Sequence, residues 1–268
     1  AGYRKEVLTM NQSEKRLFLI QSLLAEHPSC RKQEIPADSG RQKILLRGLM
    51  NVRTPKPIGA DFLAVQDEYL QAETVQKGIT DVGNLSPIQP GLYLWQGDIT
   101  TLKCDAIVNA ANSGMTGCYC PNHRCIDNAI HTFAGVELRL ACEEIMQRQG
   151  HPEPTGQAKI TPAFNLPCNY VLHTVGPIIQ GQVTAADEAA LASCYRSCLS
   201  LAAEHGLESV AFCCISTGEF HFPNELAAEI AVKTVKEFLA QQTSVRKVIF
   251  NVFKDLDEAI YRQLLSEN

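Results

Sequence analysis

The chain is predicted to be an α/β protein with helices on both faces of a mixed or mostly parallel sheet. From Leu92 onward, short runs rich in β-branched and aromatic residues alternate with longer segments of helical period. Polar or glycine-containing loops follow several of these runs. The stretch NLSPIQPG, with its Pro, Gly, Asn and Ser, separates this pattern from a helical N-terminal segment. We therefore expect a helical extension over 1–88 and a larger domain over 89–268.

The predicted extension contains three helical segments, each with one apolar stripe. They are SEKRLFLIQSLLAEH (13–27), RQKILLRGLMNVR (41–53) and ADFLAVQDEYLQAETVQKG (60–78). Short amphipathic helices are not stable alone in water, so these should pack against something. We predict that they dock on the larger domain.

Five strand-like runs and three helical segments alternate in the larger domain. The runs are LYLWQGDI (92–99), CDAIVNAAN (104–112), NYVLHTVGP (169–177), SVAFCCIST (209–217) and KVIFNVF (247–253). Residues 127–150, 188–206 and 224–242 have helical periodicity. In sheets of this type ligands bind at the carboxyl ends of strands, so the loops there are the candidate site.

Composition excludes several classes of function. The formal charge of −5, from 24 Lys and Arg against 29 Asp and Glu, provides no broad basic field, so long nucleic acid is not an expected partner. No apolar run reaches the ~18 residues of a membrane span, and AGYRKEVLTM lacks the apolar core of a secretory signal. We expect a cytoplasmic protein without membrane attachment. Its eleven cysteines are odd in number and irregularly spaced, which predicts mostly reduced thiols.

One loop concentrates sulfur and imidazole. The stretch GMTGCYCPNHRCIDNAIH (114–131) places Cys118, Cys120, His123 and Cys125 within eight positions. Cysteine and histidine are the ligands that zinc prefers; three protein ligands leave a position open, whereas four close a structural site. From the residues alone, metal binding and reduced loop cysteines are equally compatible with this cluster.

Five motifs together identify a family. They are GDIT (97–100), VNAAN (108–112), IDNAIH (126–131), HTVGP (173–177) and ISTGEFHFP (215–223). In this order and spacing the chain, over roughly residues 90–268, resembles the macrodomain family of ADP-ribose binders and hydrolases. The resemblance implies a three-layer α/β/α fold and an ADP-ribose crevice at the strand ends.

The resemblance assigns residues to the adenine and diphosphate part of ADP-ribose. Asp98, with the backbone at Ile99, would hold the adenine, although an aspartate here could simply cap a turn. Phe253 would stack on the adenine, and the alternative is a core phenylalanine at a strand end. The backbone N–H groups of one loop would bind the diphosphate, with glycine permitting close approach. That loop comprises Ser216, Thr217, Gly218, Glu219 and Phe220.

Around the distal ribose the resemblance implies two catalytic residues. Asn112 would contact this ribose, and Asn109 is expected to hold the loop backbone. Asp127 would lie beside the ribose and its phosphates; alternatively it caps the following helix. His131 and His173 lie within apolar segments and are interpreted as core residues.

In the 114–125 loop, where ordinary macrodomains have glycines, Cys118-x4-His123-x-Cys125 resembles the zinc-containing microbial macrodomains. That subgroup is often found with a sirtuin-like ADP-ribosyltransferase and a lipoylated carrier protein. The resemblance implies that Cys118, His123 and Cys125 bind Zn²⁺, with Cys120 as the possible fourth ligand of a structural site.

The implied function is zinc-dependent removal of mono-ADP-ribose from modified protein side chains. The alternatives are a non-catalytic ADP-ribose-binding module and a zinc-stabilised interaction module. Since the extension carries no polar constellation, we expect it to support the core or present the substrate protein without contacting the chemistry.

Overall fold

Six strands form the central sheet of the structure, which is a computed structural model describing residues 9–267. The strands are β2 (Leu92–Gln96), β4 (Ala106–Ala111), β5 (Ala158–Pro162), β6 (Tyr170–Val175), β7 (Ser209–Phe212) and β8 (Lys247–Val252). Their order in the sheet is β2-β8-β7-β4-β6-β5, and every neighbouring pair is parallel except β5 and β6. The mixed sheet is therefore confirmed.

The inner strands are apolar because both of their faces are covered. Ile107 and Val108 of β4 and Val248 and Ile249 of β8 are fully buried. Such continuous apolar runs are typical of parallel strands enclosed between helix layers. Since the parallel strands run the same way, their carboxyl ends meet at one edge of the sheet, where the candidate site lies.

Two helix layers cover the sheet. The helices of this domain are α4 (Ile126–Ala134), α5 (Val136–Gln149), α6 (Ala185–Glu204), α7 (Asn224–Leu239) and α8 (Asp255–Ser266). Helices α6, α7 and α8 pack side by side as one layer, while α4 packs on β4 and α5 on β5 in the other. The predicted three-layer architecture is confirmed.

The prediction of one helix over 127–150 is wrong, because the segment breaks at Gly135. This residue has φ of +100°, and an added Cβ would lie 2.6 Å from Gln66 Nε2. The Gln66 side chain instead accepts a hydrogen bond from the N–H of Val136 at 2.9 Å, which begins α5. A residue from the extension thus occupies the helix break, which only glycine permits.

Strand β5 and the C-terminal helix α8 of the larger domain were not predicted. Strand β5 lies at the sheet edge, ends at Pro162 and has mostly half-buried residues, so its alternation is weak. Helix α8 packs on β2 and β8 and buries Tyr261 and Leu265. Both elements extend the core without changing the position of the site.

The extension is helical as predicted, although its residues 1–8 lie outside the described part of the chain. It consists of α1 (Gln12–Ala25), α2 (Ser39–Val52) and α3 (Ala60–Lys77). Their apolar stripes form a separate core, which Val136 of α5 joins. After α3, β1 (Thr80–Asp81) pairs with β3 (Leu102–Lys103) of the larger domain. Val82, Leu85 and Ile88 also pack in the core of the sheet domain, so residues 80–88 lie against that domain.

The described residues also bear on the cysteines and on membrane contact. All eleven cysteines are free thiols, in agreement with the prediction of mostly reduced thiols, and Cys194, Cys198 and Cys213 are buried in the core. Between residues 9 and 267 no helix has both the length and the apolar character needed to cross a bilayer.

Candidate functional site

Asp98 follows β2 at the near end of the crevice. Its Oδ1 accepts hydrogen bonds from the Thr100 N–H at 2.9 Å and the Thr100 hydroxyl at 2.6 Å, so it does cap the short turn beginning at Ile99. Its Oδ2 lies 3.5 Å from Nζ of Lys77, at the end of α3. A cleft of about 450 Å³ opens beside it, lined by Lys77, Gly78, Ile79, Thr80, Trp95, Gly97, Asp98 and Thr101. The cap leaves the carboxylate at the cleft wall, where it can accept from a ligand amine.

The predicted diphosphate loop is a strained turn after β7. Ser216 is buried and has φ of +65°, a conformation that non-glycine residues rarely adopt. Gly176 of the HTVGP motif lies beneath it, and an added Cβ there would be 2.0 Å from Ser216 Oγ. Among residues 9–267, the N–H groups of Gly218, Glu219 and Phe220 donate to no protein acceptor. Free neighbouring N–H groups are what an anion-binding turn presents.

Phe253 lies directly after β8, and its side chain is 76% exposed. The alternative interpretation as a core phenylalanine is therefore wrong. Its backbone oxygen accepts a hydrogen bond from Gln96 Nε2 at 3.2 Å, which ties it to the end of β2. An exposed ring beside the loop of Asp98 is suited to stacking on a planar ligand.

Asp127 is buried in the first turn of α4, with a specific partner. Asn109 Nδ2 donates to Asp127 Oδ1 at 2.8 Å and also faces His173 Nδ1 at 3.2 Å. The expectation that Asn109 holds the loop backbone is therefore wrong. The capping alternative for Asp127 is wrong too, since Cys125 is the N-cap and its Sγ accepts from the Asn128 N–H. Burial raises the pKa of Asp127 to about 6, against the lowering effect of the Asn109 hydrogen bond.

Behind Asp127 lie two neutral histidines. His131 Nε2 is 3.5 Å from Asp127 Oδ1, and His173 Nε2 is 2.9 Å from the Thr161 hydroxyl. Burial lowers the pKa of His173 to about 4 and holds that of His131 well below its ordinary value. With Cys142 these histidines form a buried cluster, in agreement with their interpretation as core residues.

Asn112 closes the loop that follows β4. Its Oδ1 accepts from the Gly114 N–H at 3.1 Å, and its Nδ2 donates to the Gly117 carbonyl at 3.1 Å. The side chain is exposed at the crevice. This arrangement fixes the start of the segment 114–125, called the metal loop from here on.

The metal loop brings three of its four sulfur and imidazole groups together. The ligand atoms of Cys118, His123 and Cys125 all lie within 4.8 Å of one another. Within residues 9–267, His123 Nδ1 is buried and has no hydrogen-bond partner. Burial raises the pKa of Cys125 to about 12, and the neighbouring Cys118 contributes to the rise, so a thiolate here needs a cation to offset its charge. The donor set fits zinc. Cys120 is exposed and lies outside the cluster.

The metal loop contacts the diphosphate loop and the extension. His123 Nε2 lies 3.6 Å from Glu219 Oε1 across the crevice. Arg47 of α2 donates to the His123 carbonyl at 3.4 Å and to Asn128 Oδ1 at 2.9 Å. The extension therefore reaches the main chain of the metal loop, a contact that the sequence did not predict. Arg47 and Asn128 had no local signal, since they are 81 residues apart and meet only in the folded chain.

Comparison with known proteins identifies the family. A family model described as Macro domain matches residues 108–231. A Treponema medium protein named Protein-ADP-ribose hydrolase is 60% identical over 261 residues, which cover 96% of this chain and 100% of that protein. The chain belongs to the macrodomain family. A Staphylococcus aureus protein of the same name is 47% identical over 97% of this chain and 98% of its own length. The Trypanosoma brucei macrodomain in complex with ADP-ribose is 27% identical, with a TM-score of 0.64 over 86% of this chain and 97% of that one.

The family model covers only part of this macrodomain's site. Asn112, Asp127, the metal loop and the diphosphate loop lie within the matched residues, whereas Asp98 and Phe253 lie outside them. The two hydrolases match nearly the whole chain, so their likeness extends to both ends of the crevice and to the helical extension.

Proposed function

We propose that this macrodomain is a zinc-dependent hydrolase that removes mono-ADP-ribose from modified protein side chains. The observation that carries the proposal is the convergence of Cys118, His123 and Cys125. The last of these, Cys125, lies two residues before the buried Asp127. Hydrolysis of protein ADP-ribose is also the activity named for the two bacterial relatives. The complex of the Trypanosoma brucei macrodomain supports ADP-ribose as the ligand.

The adenine and the diphosphate of ADP-ribose bind to residues outside the metal loop. Asp98 accepts from the exocyclic amine of adenine, and the exposed ring of Phe253 stacks on the base. The N–H groups of Gly218, Glu219 and Phe220 donate to the diphosphate oxygens. Binding therefore uses three strand ends, and the distal ribose is directed towards Asn112 and the metal loop.

Cleavage occurs at C1 of the distal ribose. Zinc held by Cys118, His123 and Cys125 would supply a Lewis acid with an open position, which can lower the pKa of water towards ~7. Asp127, oriented by Asn109 at 2.8 Å, takes the proton of the attacking water. The oxygen of that water bonds to C1 as the bond from C1 to the protein side chain breaks, which releases ADP-ribose and the unmodified side chain. Asn112 keeps the ribose against this group.

A non-catalytic ADP-ribose-binding module with a structural zinc would need a fourth protein ligand. Cys120 is the only further cysteine in the metal loop, and it is exposed outside the cluster. Three ligands leave room for substrate or water, which supports hydrolysis over a purely structural role.

The test separates zinc, binding and turnover. In Cys125→Ala we expect loss of most bound zinc and most hydrolysis, while ADP-ribose affinity falls only modestly because other loops hold the ligand. Cys120→Ala is the matched control and should keep all three. Metal analysis, calorimetry with ADP-ribose and turnover of a mono-ADP-ribosylated protein are measured on the same preparations. Full turnover in zinc-free Cys125→Ala would contradict catalytic zinc, and zinc loss in Cys120→Ala would contradict the ligand set.

The partner protein is a further part of the proposal. The likeness to sirtuin-linked zinc macrodomains suggests a lipoylated carrier protein as the modified substrate. Turnover of an ADP-ribosylated lipoylated carrier, compared with another ADP-ribosylated protein at equal concentration, tests this preference. Equal rates would leave the carrier without a special role.

A further inference from the structure

Helix α2 of the extension lies against the metal loop along one face. Ile44, Arg47, Gly48 and Asn51 occupy positions i, i+3, i+4 and i+7, so they share this face. Each of them contacts the metal loop or the residues that follow it. The contacts fall between Cys118 and His123, at His123 itself, and at Asn128 just after Cys125.

The first contact holds the turn before His123. Asn51 Oδ1 accepts from the Asn122 N–H at 2.9 Å, and Asn122 Nδ2 donates to the Ile44 carbonyl at 3.0 Å. Asn122 has φ of +56°, which costs free energy for any residue other than glycine. At Gly48 an added Cβ would lie 3.2 Å from Asn122 Nδ2, so α2 approaches this turn closely. The strained turn is thus held by the extension.

The second contact reaches Cys125 through a buried amide. Arg47 donates to Asn128 Oδ1 from Nε at 3.1 Å and from Nη2 at 2.9 Å. Asn128 is fully buried, its Nδ2 donates to the Cys120 carbonyl at 3.0 Å, and its N–H donates to Cys125 Sγ at 3.4 Å. Arg47 also donates to the His123 carbonyl. One guanidinium therefore orients the backbone of one ligand and, through Asn128, the sulfur of another.

The third contact fixes the other end of the metal loop. Arg139 of α5 is buried and donates to the Thr116 carbonyl at 2.7 Å and the Cys118 carbonyl at 3.3 Å. Its Nη1 donates to carbonyls at the end of α2, those of Met50, Asn51 and Arg53, at 3.3, 2.8 and 2.6 Å. Helix-terminal carbonyls carry partial negative charge and lack helical partners, so they suit a buried guanidinium. Arg139 thereby ties Cys118 to the extension.

We propose that Arg47, Asn51 and Arg139 are positioning residues that hold the metal loop in its ligand geometry. The inference rests on the proposed function, because it presupposes that this loop binds zinc. A loop with left-handed residues at Met115 and Asn122 would sample other conformations if it were not held. Ordering it before the metal binds removes that entropy cost from the binding step. The helical extension is then part of the hydrolytic site.

The test compares Arg47→Gln with Arg41→Gln, which makes the same change at an exposed position near the start of α2. Loss of outer contacts to metal ligands typically costs roughly 10- to 100-fold in metal affinity. We expect a decrease of about that size for Arg47→Gln in chelator competition with Zn²⁺ alone. Amide hydrogen exchange of 114–125 in metal-free protein should also become faster. Melting temperature of the metal-free protein and ADP-ribose affinity should stay near wild type, as should all four readouts in Arg41→Gln.

Arg139→Lys is the second variant, because lysine keeps the charge but lacks the planar fork that reaches both partners. It should weaken zinc binding and speed exchange of 114–125 as Arg47→Gln does. Wild-type zinc affinity and wild-type exchange in both folded variants would overturn the proposal. Faster exchange throughout the chain with a lower metal-free melting temperature in both would also overturn it, since the role would be general stability. If wild type binds no zinc, the proposed function fails, while the exchange data still decide whether these arginines hold the loop.

Discussion

Gly176→Ala is the substitution whose effect on the diphosphate loop can be worked most directly from the structure. An added Cβ would lie 2.0 Å from Ser216 Oγ and 2.9 Å from Ile215 Cγ2, whereas ordinary contact begins at 3.4 Å. Ser216 could rotate its hydroxyl away, but its Cβ is only 3.3 Å from the same point, and Ile215 is fully buried. The turn must therefore move.

Gly176→Ala should lower both the free energy of unfolding and the affinity for ADP-ribose. Overpacking a buried site costs about 1–3 kcal/mol, and in a chain of this size about 1 kcal/mol lowers the melting temperature by about 2–4 °C. Displacing the turn should remove one or more N–H bonds to the diphosphate, each worth roughly 1.5–3 kcal/mol because the acceptor is charged. Loss of one such bond raises Kd for ADP-ribose roughly 10- to 100-fold.

Two other glycines serve as controls in the same calorimetric and melting assays. At Gly59, before α3, and at Gly218, within the diphosphate loop, an added Cβ meets no atom of the described part of the chain within 4 Å. We expect Gly59→Ala to resemble wild type in both assays. Gly218→Ala should keep its melting temperature but lose affinity, because its methyl group enters space open to the ligand. A Gly176→Ala protein that melts lower yet binds ADP-ribose with wild-type affinity would refute the diphosphate assignment, and one unchanged in both assays would refute the packing argument.

Three further predictions test other parts of the site. Asp98→Ala should weaken ADP-ribose binding by roughly 1.5–3 kcal/mol in calorimetry, because a charged acceptor is lost; Asp81→Ala removes a similar turn cap and lysine pair at the β1 end and should leave affinity unchanged. Asp127→Asn should lower the rate of hydrolysis roughly 100-fold or more with ADP-ribose affinity largely kept, and an undiminished rate would exclude it as the base. His173, with a folded pKa of about 4 against 6.5 for the free side chain, binds its proton more readily when unfolded, so stability should fall as pH drops from 6.5 towards 4, by up to roughly 3 kcal/mol. Denaturant unfolding at pH 7 and 5 measures this loss, and an equal loss in His173→Gln would assign it to other groups.

Many helices and strands of the fold could be predicted from short segments of the sequence. The helices α1, α2 and α3 and the strands β4, β7 and β8 appear in the sequence as periodic or continuous apolar runs. The main error in the helix prediction came from a contact with a distant residue. The break at Gly135 depends on Gln66, which lies 70 residues from the N–H of Val136 that it accepts. Strand β5 was missed because edge strands are only half covered and their pattern is weak.

Some residues of the candidate site could likewise be predicted from short motifs, whereas others depend on partners that are distant in the sequence. Asp98 and the predicted diphosphate loop are defined by short motifs whose backbone turns form within a few residues, so the sequence was enough to name them as candidates. The orientation of Asn109 is different, because an amide can serve a loop, a carboxylate or an imidazole depending on what the fold places beside it. It meets Asp127 and His173, which are 18 and 64 residues away.

By itself, the sequence determined the alternation of strands and helices, the loops at the strand ends and the candidate residues for binding ADP-ribose and a metal. These follow from side-chain period, turn chemistry and donor type, which are properties of short segments. Only the tertiary structure decided that Cys120 stays outside the cluster, that Asn109 donates to Asp127, and that the extension contacts the metal loop. These contacts join groups whose positions depend on how helices and strands pack. Arg47 and Asn128 are separated by 81 residues, so no local sequence pattern indicates that they form a hydrogen bond in the folded chain.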